Sequence, residues 1–207
     1  MSKLSIFKES ILSGAFIGLA GITYLSVGGI PGAVGFSLGL VLVCFYSSFL
    51  YTGKAGSYPT NDGVLNFIGT VFGLILIGNI IGCALIGYCA SNCASPLASD
   101  SLSKIIENRE SSQIFTTLIK SIMCGIIMDN IVRAYKLTNN PIPILLGVPA
   151  FILCGFYHSI ADSFYYSFAL FSGIQVGTGC LITWIVSIIG NFIGCNFKRI
   201  LDYGDSY

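Results

Sequence analysis

The stretch GNIIGC at residues 78–83 is matched by GNFIGC at residues 190–195. Residues 78 and 190 are 112 positions apart, about half of the 207-residue chain. Each copy lies late in an apolar run, so the pair predicts that the chain folds as two halves of the same design. The alternative is a chance recurrence of glycine-rich helix contacts, because small residues let membrane helices approach each other closely.

The amino-acid composition is that of a membrane protein. Hydrophobic residues make up 54% of the chain and charged residues only 9%, against roughly 25% charged residues in a typical soluble domain. A membrane helix needs about 20 apolar residues, and six such spans fit the sequence. The predicted spans are 9–28, 33–52, 64–88, 112–134, 142–170 and 173–196.

Three spans in each half place the two halves in opposite orientations in the membrane. Such inverted repeats are typical of transport folds, in which the substrate site lies near the midplane where the repeats meet. Spans two and five correspond by this symmetry. Each carries glycine and hydroxyl residues in an apolar setting, which predicts interrupted helices that line a pore. We expect an all-α membrane protein with a single channel domain, residues 1–207, and inverted three-helix repeats over about 9–90 and 112–197.

The distribution of basic residues predicts the orientation. Lysine and arginine favour the cytoplasmic side of a membrane. One side of the six-span arrangement carries Lys3, Lys8, Lys54, Arg133, Lys136, Lys198 and Arg199. The other side carries Lys104 and Arg109. We therefore expect a multi-pass protein of the plasma membrane with both termini in the cytoplasm.

Charge and cysteine usage argue against several other functions. The net charge of +1 gives no reason to expect a nucleic-acid partner. Most of the eight cysteines lie inside apolar runs, where a thiol behaves as a small hydrophobic group. Cys89 and Cys93 have the spacing of a bridge or half a metal site, but no second pair or histidine accompanies them. We predict no metal, no cofactor and no catalytic residues, since an enzyme needs a nucleophile–base or metal constellation.

The single histidine, His158, lies in GFYHSIADSF (155–164), where most of its neighbours are apolar. An ionisable residue at membrane depth costs roughly 2.5–3.5 kcal/mol on insertion scales and usually faces an interior path. An imidazole also exchanges protons around neutral pH. His158 is therefore predicted to act in the pore, and the alternative is a buried structural histidine.

At these residues the chain resembles the formate/nitrite transporter family. FSLGLVLVCFYSSFLYTG (36–53) is similar to the family's second helix and following loop, and GFYHSIAD (155–162) to its Gly-Phe-Glu-His-Ser-Ile-Ala-Asn signature. GNIIGC and GNFIGC resemble its two Gly-Asn motifs. The resemblance implies an aquaporin-like arrangement of six helices, assembled as a homopentamer in the lipid bilayer with one pore per subunit. Members of the family pass small monovalent anions or their acids, namely formate, nitrite, hydrosulfide and lactate.

The resemblance also implies roles for single residues. By position, the family's constriction residues correspond to Phe36, Leu40, Leu50, Tyr51 and Phe151. Tyr51 stands where phenylalanine is usual. The central histidine corresponds to His158, which in the family hydrogen-bonds the loop threonine, here Thr52, and the pair forms a proton relay. The motif asparagines are Asn79 and Asn191.

The chain departs from the family pattern in its charges. Asp162 replaces the signature asparagine, and Asp129 lies where the fourth helix usually carries asparagine. Two vestibule lysines are missing, with Gln113 and Asn140 near their places. Carboxylates in a pore select cations, whereas lysines select anions. We therefore expect Asp129 and Asp162 to be selectivity carboxylates and the substrate to be ammonium, which gives up a proton near His158 and crosses as ammonia.

Structural alternatives remain for both carboxylates. Asp129 precedes Arg133 by four residues, which places the two side chains one helical turn apart and allows an ion pair. Asp162 follows His158 by four residues and is placed to cap or orient a helix. If both carboxylates are paired or protonated, the expected function is a weak-acid anion channel for formate, nitrite or hydrosulfide, with protonation by the same histidine.

Overall fold

The computed structural model of the chain describes residues 2–56 and 63–201, and the regular elements in those ranges are helical. The helices are α1 (Lys3–Val27), α2 (Gly29–Phe45), α3 (Tyr51–Lys54), α4 (Val64–Ile68), α5 (Ile77–Cys93), α6 (Pro96–Glu110), α7 (Ile114–Thr138), α8 (Ile142–Leu153), α9 (Ser159–Phe171), α10 (Thr178–Cys195) and α11 (Phe197–Leu201). A π-helical segment, Gly69–Leu76, joins α4 to α5 without a break. Residues 57–62, which lie between predicted spans two and three, are outside the described residues.

Six spans are formed by four continuous helices and two interrupted ones. The continuous spans are α1, the α4–α5 rod, α7 and α10, each long and apolar enough to cross a membrane. Span two consists of α2 and α3, and span five of α8 and α9, with irregular backbone between the two parts. The predicted fold class, two inverted three-helix repeats with helices two and five interrupted, is confirmed.

Both interrupted spans break with the same backbone turn. After α2 and after α8, an amide donates to the carbonyl oxygen five residues earlier, which is the longer bond of a Schellman motif. The two bonds are Ser48 N–H to Val43 O and Phe156 N–H to Phe151 O, each 3.0 Å. One residue in each turn has left-handed backbone, Ser47 with φ 53° and Gly155 with φ 66°. The two halves therefore interrupt their helices with the same type of backbone turn.

The first Gly-Asn motif fixes the break in span two. The Asn79 Oδ1 atom accepts the Tyr51 amide (2.8 Å). Its Nδ2 group donates to the carbonyl oxygens of Ser10 (2.7 Å) and Phe49 (2.8 Å). Asn79 is fully buried, so its three hydrogen bonds satisfy backbone groups that have no access to water.

The second motif repeats this arrangement in span five. The Asn191 Oδ1 atom accepts the Ser159 amide (2.8 Å), and its Nδ2 group donates to the Ser121 and Tyr157 carbonyl oxygens (both 2.8 Å). Each asparagine thus ties two continuous helices to the start of the short helix that follows the break in its own half. The recurrence of the motif in sequence reflects a recurrent hydrogen-bond pattern.

The glycines of the motifs let helices within each half approach closely, and the cysteines make contacts between the halves. A Cβ atom added at Gly82 or Gly194 would collide with the backbone of α1 or α7, respectively, so glycine is required for this close approach. The Cys83 thiol donates to the Ile160 carbonyl oxygen in the opposite half (3.3 Å). The Cys195 thiol donates to the Thr52 carbonyl oxygen (3.0 Å), again in the opposite half.

Between predicted spans three (64–88) and four (112–134), the chain forms a regular helix, α6. The Ser95 side chain caps the N-terminus of α6, and the first turn of α6 begins with proline. Ala98, Leu102 and Ile106 form its buried face. Because the outer face of α6 is polar, the helix contains no long apolar run that would mark it in the sequence.

Glu110, the last residue of α6, caps another helix. Its carboxylate accepts the amides of Cys180 (2.8 Å) and Gly179 (3.1 Å) at the N-terminus of α10. These backbone hydrogen bonds lower the pKa of Glu110 below its ordinary value. The cap attaches α6 to the second repeat.

Replacement of Asn191 by alanine is expected to lower the free energy of unfolding by about 2–4 kcal/mol, because three buried backbone groups lose their partners. Thermal unfolding in detergent, followed by size-exclusion chromatography, measures this change. Asn130→Ala is the matched control, since Asn130 is an exposed residue of α7 that bonds only the Ile126 carbonyl oxygen. Equal melting temperatures for the two variants would contradict the assigned role of the motif.

Candidate functional site

His158 lies at the meeting point of the two broken spans. It is the N-cap residue of α9, and its Nδ1 atom accepts the Ala161 amide (3.1 Å). Its Nε2 atom lies 3.0 Å from the Thr52 Oγ1 atom in the other half. Because Nδ1 accepts a backbone N–H, the neutral ring carries its hydrogen on Nε2 and donates it to Thr52. The structure brings the two predicted relay residues together.

Apolar side chains enclose the histidine. The Phe151 ring stacks on His158 with 5.7 Å between ring centres, and Phe36 meets Phe151 edge to face at 6.2 Å. Leu40 and Leu50 are likewise buried. Leu50 precedes α3 as His158 precedes α9, so corresponding positions of the repeats hold a leucine and a histidine. Their role as a constriction stays a prediction.

Tyr51, also predicted in the constriction, is directed elsewhere. Its hydroxyl donates to the Ile188 carbonyl oxygen of α10 (3.0 Å), and its ring packs against Phe72 of the π-helical segment with 5.6 Å between centres. Its side chain therefore contacts span three and span six. These contacts support a packing role and do not favour a place in the constriction.

Two cavities approach the site from opposite ends. The larger, about 730 Å³, is lined by residues that include Leu50, Ser48, Lys54, Tyr135 and Lys136; we call it the lysine vestibule. The smaller, about 180 Å³, is lined by residues that include Phe36, Phe151, His158, Arg109 and Asp162; we call it the arginine vestibule. The two cavities share no lining residue, and Leu50 on one side and His158 on the other are both buried.

The lysine vestibule carries unpaired positive charge. The Lys54 ammonium group lies 4.3 Å from the centre of the Phe49 ring, a cation–π contact. Lys136 lines the same cavity. Neither lysine takes part in a salt bridge with another residue of ranges 2–56 and 63–201.

Asp162 lies in an ion pair in the arginine vestibule. The Arg109 Nε atom donates to its Oδ1 atom at 3.0 Å, and both side chains are largely buried. The guanidinium carbon of Arg109 lies 3.6 Å from the Tyr157 ring centre. The carboxylate charge is therefore compensated. The role of Asp162 as a free selectivity carboxylate stays a prediction, and this pairing does not favour it.

Asp129 lies in a second ion pair, with Arg133 one turn later on α7. The Arg133 Nε atom donates to Asp129 Oδ2 at 2.5 Å, and the Arg133 Nη2 group donates to the Gly56 carbonyl oxygen (3.1 Å). Asp129 lines neither vestibule. The spacing-based alternative, a structural pair within one helix, is the arrangement found. The role of Asp129 as a selectivity carboxylate is thus not supported by its contacts.

The cations of the site are not evident from the sequence pattern, which places them only on one side of the membrane or the other. Arg109, Lys54 and Lys136 each line a vestibule. Arg109 follows the buried Ile106 by three residues, so a helical period on α6 would have placed it on the inner face. For the lysines no comparable signal exists, because their positions depend on how the broken span packs.

Within the described residues there is no group of three or more histidine, cysteine, aspartate or glutamate side chains placed to hold a metal ion. The site offers two vestibules, an apolar separation and one hydrogen-bonded histidine. Together with the broken helices, these features are those of a membrane channel. The chain matches the model of the family described as formate/nitrite transporter over residues 1–201, and it belongs to that family.

Solved structures share the fold. A structure described as "Pentameric formate channel with formate bound" is 20% identical, with a TM-score of 0.78 over 98% of this chain and 96% of that chain. A structure described as "FNT family ion channel" is 17% identical, with a TM-score of 0.86 over 99% of this chain and 90% of that chain. No curated protein matches the chain significantly. These structural matches establish the six-helix channel fold.

Asp129→Asn is expected to lower the free energy of unfolding by about 1–3 kcal/mol, since it leaves the Arg133 charge without its partner. Ion preference should not change, because Asp129 lies outside both vestibules. Thermal unfolding and flux in liposomes measure the two effects. The double variant Asp129→Asn, Arg133→Gln should recover part of the loss. A stable Asp129→Asn protein with altered ion preference would contradict a structural role.

Proposed function

We propose that the protein conducts a small monovalent weak-acid anion, such as formate, nitrite or hydrosulfide, and that the anion takes up a proton near His158. The observation that carries this proposal is the distribution of charge. Both buried aspartates are neutralised by arginines, whereas Lys54 and Lys136 line the larger vestibule without a described ion-pair partner. An approaching anion therefore meets net positive charge, which raises its local concentration.

The histidine gives the anion a means to cross the apolar zone. A bare anion is costly among Phe36, Leu40 and Phe151, whereas the neutral acid is not. The Nδ1 atom of His158 accepts the Ala161 amide, so Nε2–H and the hydroxyl of Thr52 are the donors that an anion meets here. A neutral ring that lost the Nε2 proton would be a strongly basic imidazolate, so the ring keeps this proton. The proton that the anion takes up comes from hydronium in the vestibule water, which becomes water, while Nε2–H and Thr52 hold the acid by hydrogen bonds.

Ammonium, the substrate expected from the two acquired aspartates, is retained as a second candidate. One observation favours it. The Asp162 Oδ2 atom has no hydrogen-bond partner among the described residues, which leaves an acceptor for an N–H donor beside the arginine vestibule. Against it stands the adjacent Arg109, because a guanidinium repels a cation at contact distance.

The orientation and assembly are proposed on separate grounds. The bias of basic residues supports termini in the cytoplasm of a plasma-membrane protein, and a terminal reporter fused to either end would test this. The pentameric channel among the structural matches supports a homopentamer in the lipid bilayer. Native mass measurement in detergent should give five chains, and a stable monomer would exclude that assembly.

Flux into liposomes should distinguish the two substrates, with formate, nitrite, hydrosulfide and ammonium offered separately. We expect anion flux, with a half-saturation concentration that rises in the double variant Lys54→Gln, Lys136→Gln. Two lysines at about 0.7 kcal/mol each amount to roughly tenfold. Lys8→Gln, an exposed substitution on α1, is the control and should change nothing. Ammonium flux without anion flux would overturn the proposal.

A further inference from the structure

Arg109 is held in one orientation by contacts on three sides. Its Nε atom donates to Asp162 Oδ1 (3.0 Å), and its guanidinium carbon stacks 3.6 Å from the centre of the Tyr157 ring. Its backbone carbonyl accepts the Thr183 hydroxyl (2.8 Å), which fixes this end of α6 on α10. Only 13% of the Arg109 side chain is exposed. A long, flexible side chain is thereby pre-organised at the wall of the arginine vestibule.

The pairing with Asp162 leaves part of the guanidinium unused. A bidentate pair would engage both carboxylate oxygens, but the buried Oδ2 atom has no hydrogen-bond partner among the described residues. The Nε atom is therefore the donor that Arg109 uses to bind the carboxylate. The Nη1 and Nη2 groups form no hydrogen bond to another side chain or carbonyl of ranges 2–56 and 63–201. Arg109 lines the same cavity as His158.

We propose that Arg109 is a specificity-determining residue whose Nη edge recognises a planar anion with two oxygen atoms, such as a small carboxylate or nitrite. The proposal deepens the function proposed above and rests on it. Two parallel N–H groups of a guanidinium match two oxygens of one planar anion, whereas an ammonium group acts as a point charge. Asp162 is a positioning residue, because it acts through Arg109.

Charge balance explains why recognition here depends on contact geometry. Arg109 and Asp162 together carry no net charge, so the pair exerts little attraction on a distant anion. An anion that reaches the Nη edge gains hydrogen bonds, and their number depends on its shape. Hydrosulfide offers one acceptor atom and gains less than formate. The lysine vestibule attracts anions in general, and the arginine vestibule distinguishes among them.

The test is the ratio of transport efficiencies for formate and hydrosulfide in liposomes, with nitrite as a second planar anion. Arg109→Lys keeps the charge and removes the planar fork. We expect this variant to lose efficiency for formate and nitrite by roughly tenfold, the worth of one hydrogen bond to a charged group, with little change for hydrosulfide. Lys104→Gln, an exposed substitution on α6, is the control and should leave the ratio unchanged.

Asp162→Asn gives a second measurement that does not depend on the folding of Arg109→Lys. The amide oxygen of asparagine still accepts from Nε, but the compensating charge is gone. Half-saturation concentrations should therefore fall for all three anions by a similar factor, with the preference for planar anions retained. Unchanged half-saturation in this variant would overturn the proposal, as would an equal effect of Arg109→Lys on all three anions. If the unmodified protein conducts none of the anions, the proposed function itself fails, which is a different outcome.

Discussion

The structure depends on two buried asparagine amides, each of which joins three backbone groups around a broken helix. A bilayer supplies no water to satisfy a free N–H or carbonyl group, so irregular backbone at membrane depth survives only where protein provides the partners. Asn79 and Asn191 provide them at span two and span five. Without those bonds the backbone amides and carbonyl groups at the two breaks would be buried without partners.

The two breaks are alike in backbone and different in chemistry. The residue before the short helix is Leu50 in one half and His158 in the other. Their corresponding positions bring an apolar and a titratable side chain to the same region, with Thr52 joining the histidine across the interface between the halves. The two halves are related by symmetry in backbone, but the site between them is asymmetric. The repeat fixes where the two side chains lie, and the difference between leucine and histidine determines the chemistry.

Much of this arrangement was predictable from the sequence, since it depends on local patterns. Apolar runs gave the spans, the repeated motif gave the inverted halves, and glycine and hydroxyl residues marked the two breaks. The four-residue spacing of Asp129 and Arg133 allowed the ion pair that the structure contains, although it was the alternative to the expected role of Asp129 in selectivity. The pairing of Asp162 with Arg109 was not predictable in this way. It joins residues 53 positions apart, and its formation depends on the packing of α6 against α9.

The ammonium hypothesis shows what such a long-range contact changes. From sequence, two extra carboxylates and two missing lysines implied a cation pathway. In the fold each carboxylate has an arginine partner, and other lysines line a vestibule. The charge pattern then favours an anion over a cation. The sequence identifies the charged residues, but their effect on an ion in the pore depends on which charges lie next to each other in the fold.

The cysteine contacts have a consequence for the order of assembly during synthesis. The partners of Asn79 all lie within the first half of the chain, and those of Asn191 all lie within the second. Each half therefore carries what it needs to form its own break as it emerges from the ribosome. The bonds from Cys83 to Ile160 and from Cys195 to Thr52 join the two halves, so they form only when both halves are present. The hydrogen bonds that form each break therefore need no residue of the other half, whereas the contacts between the halves need both.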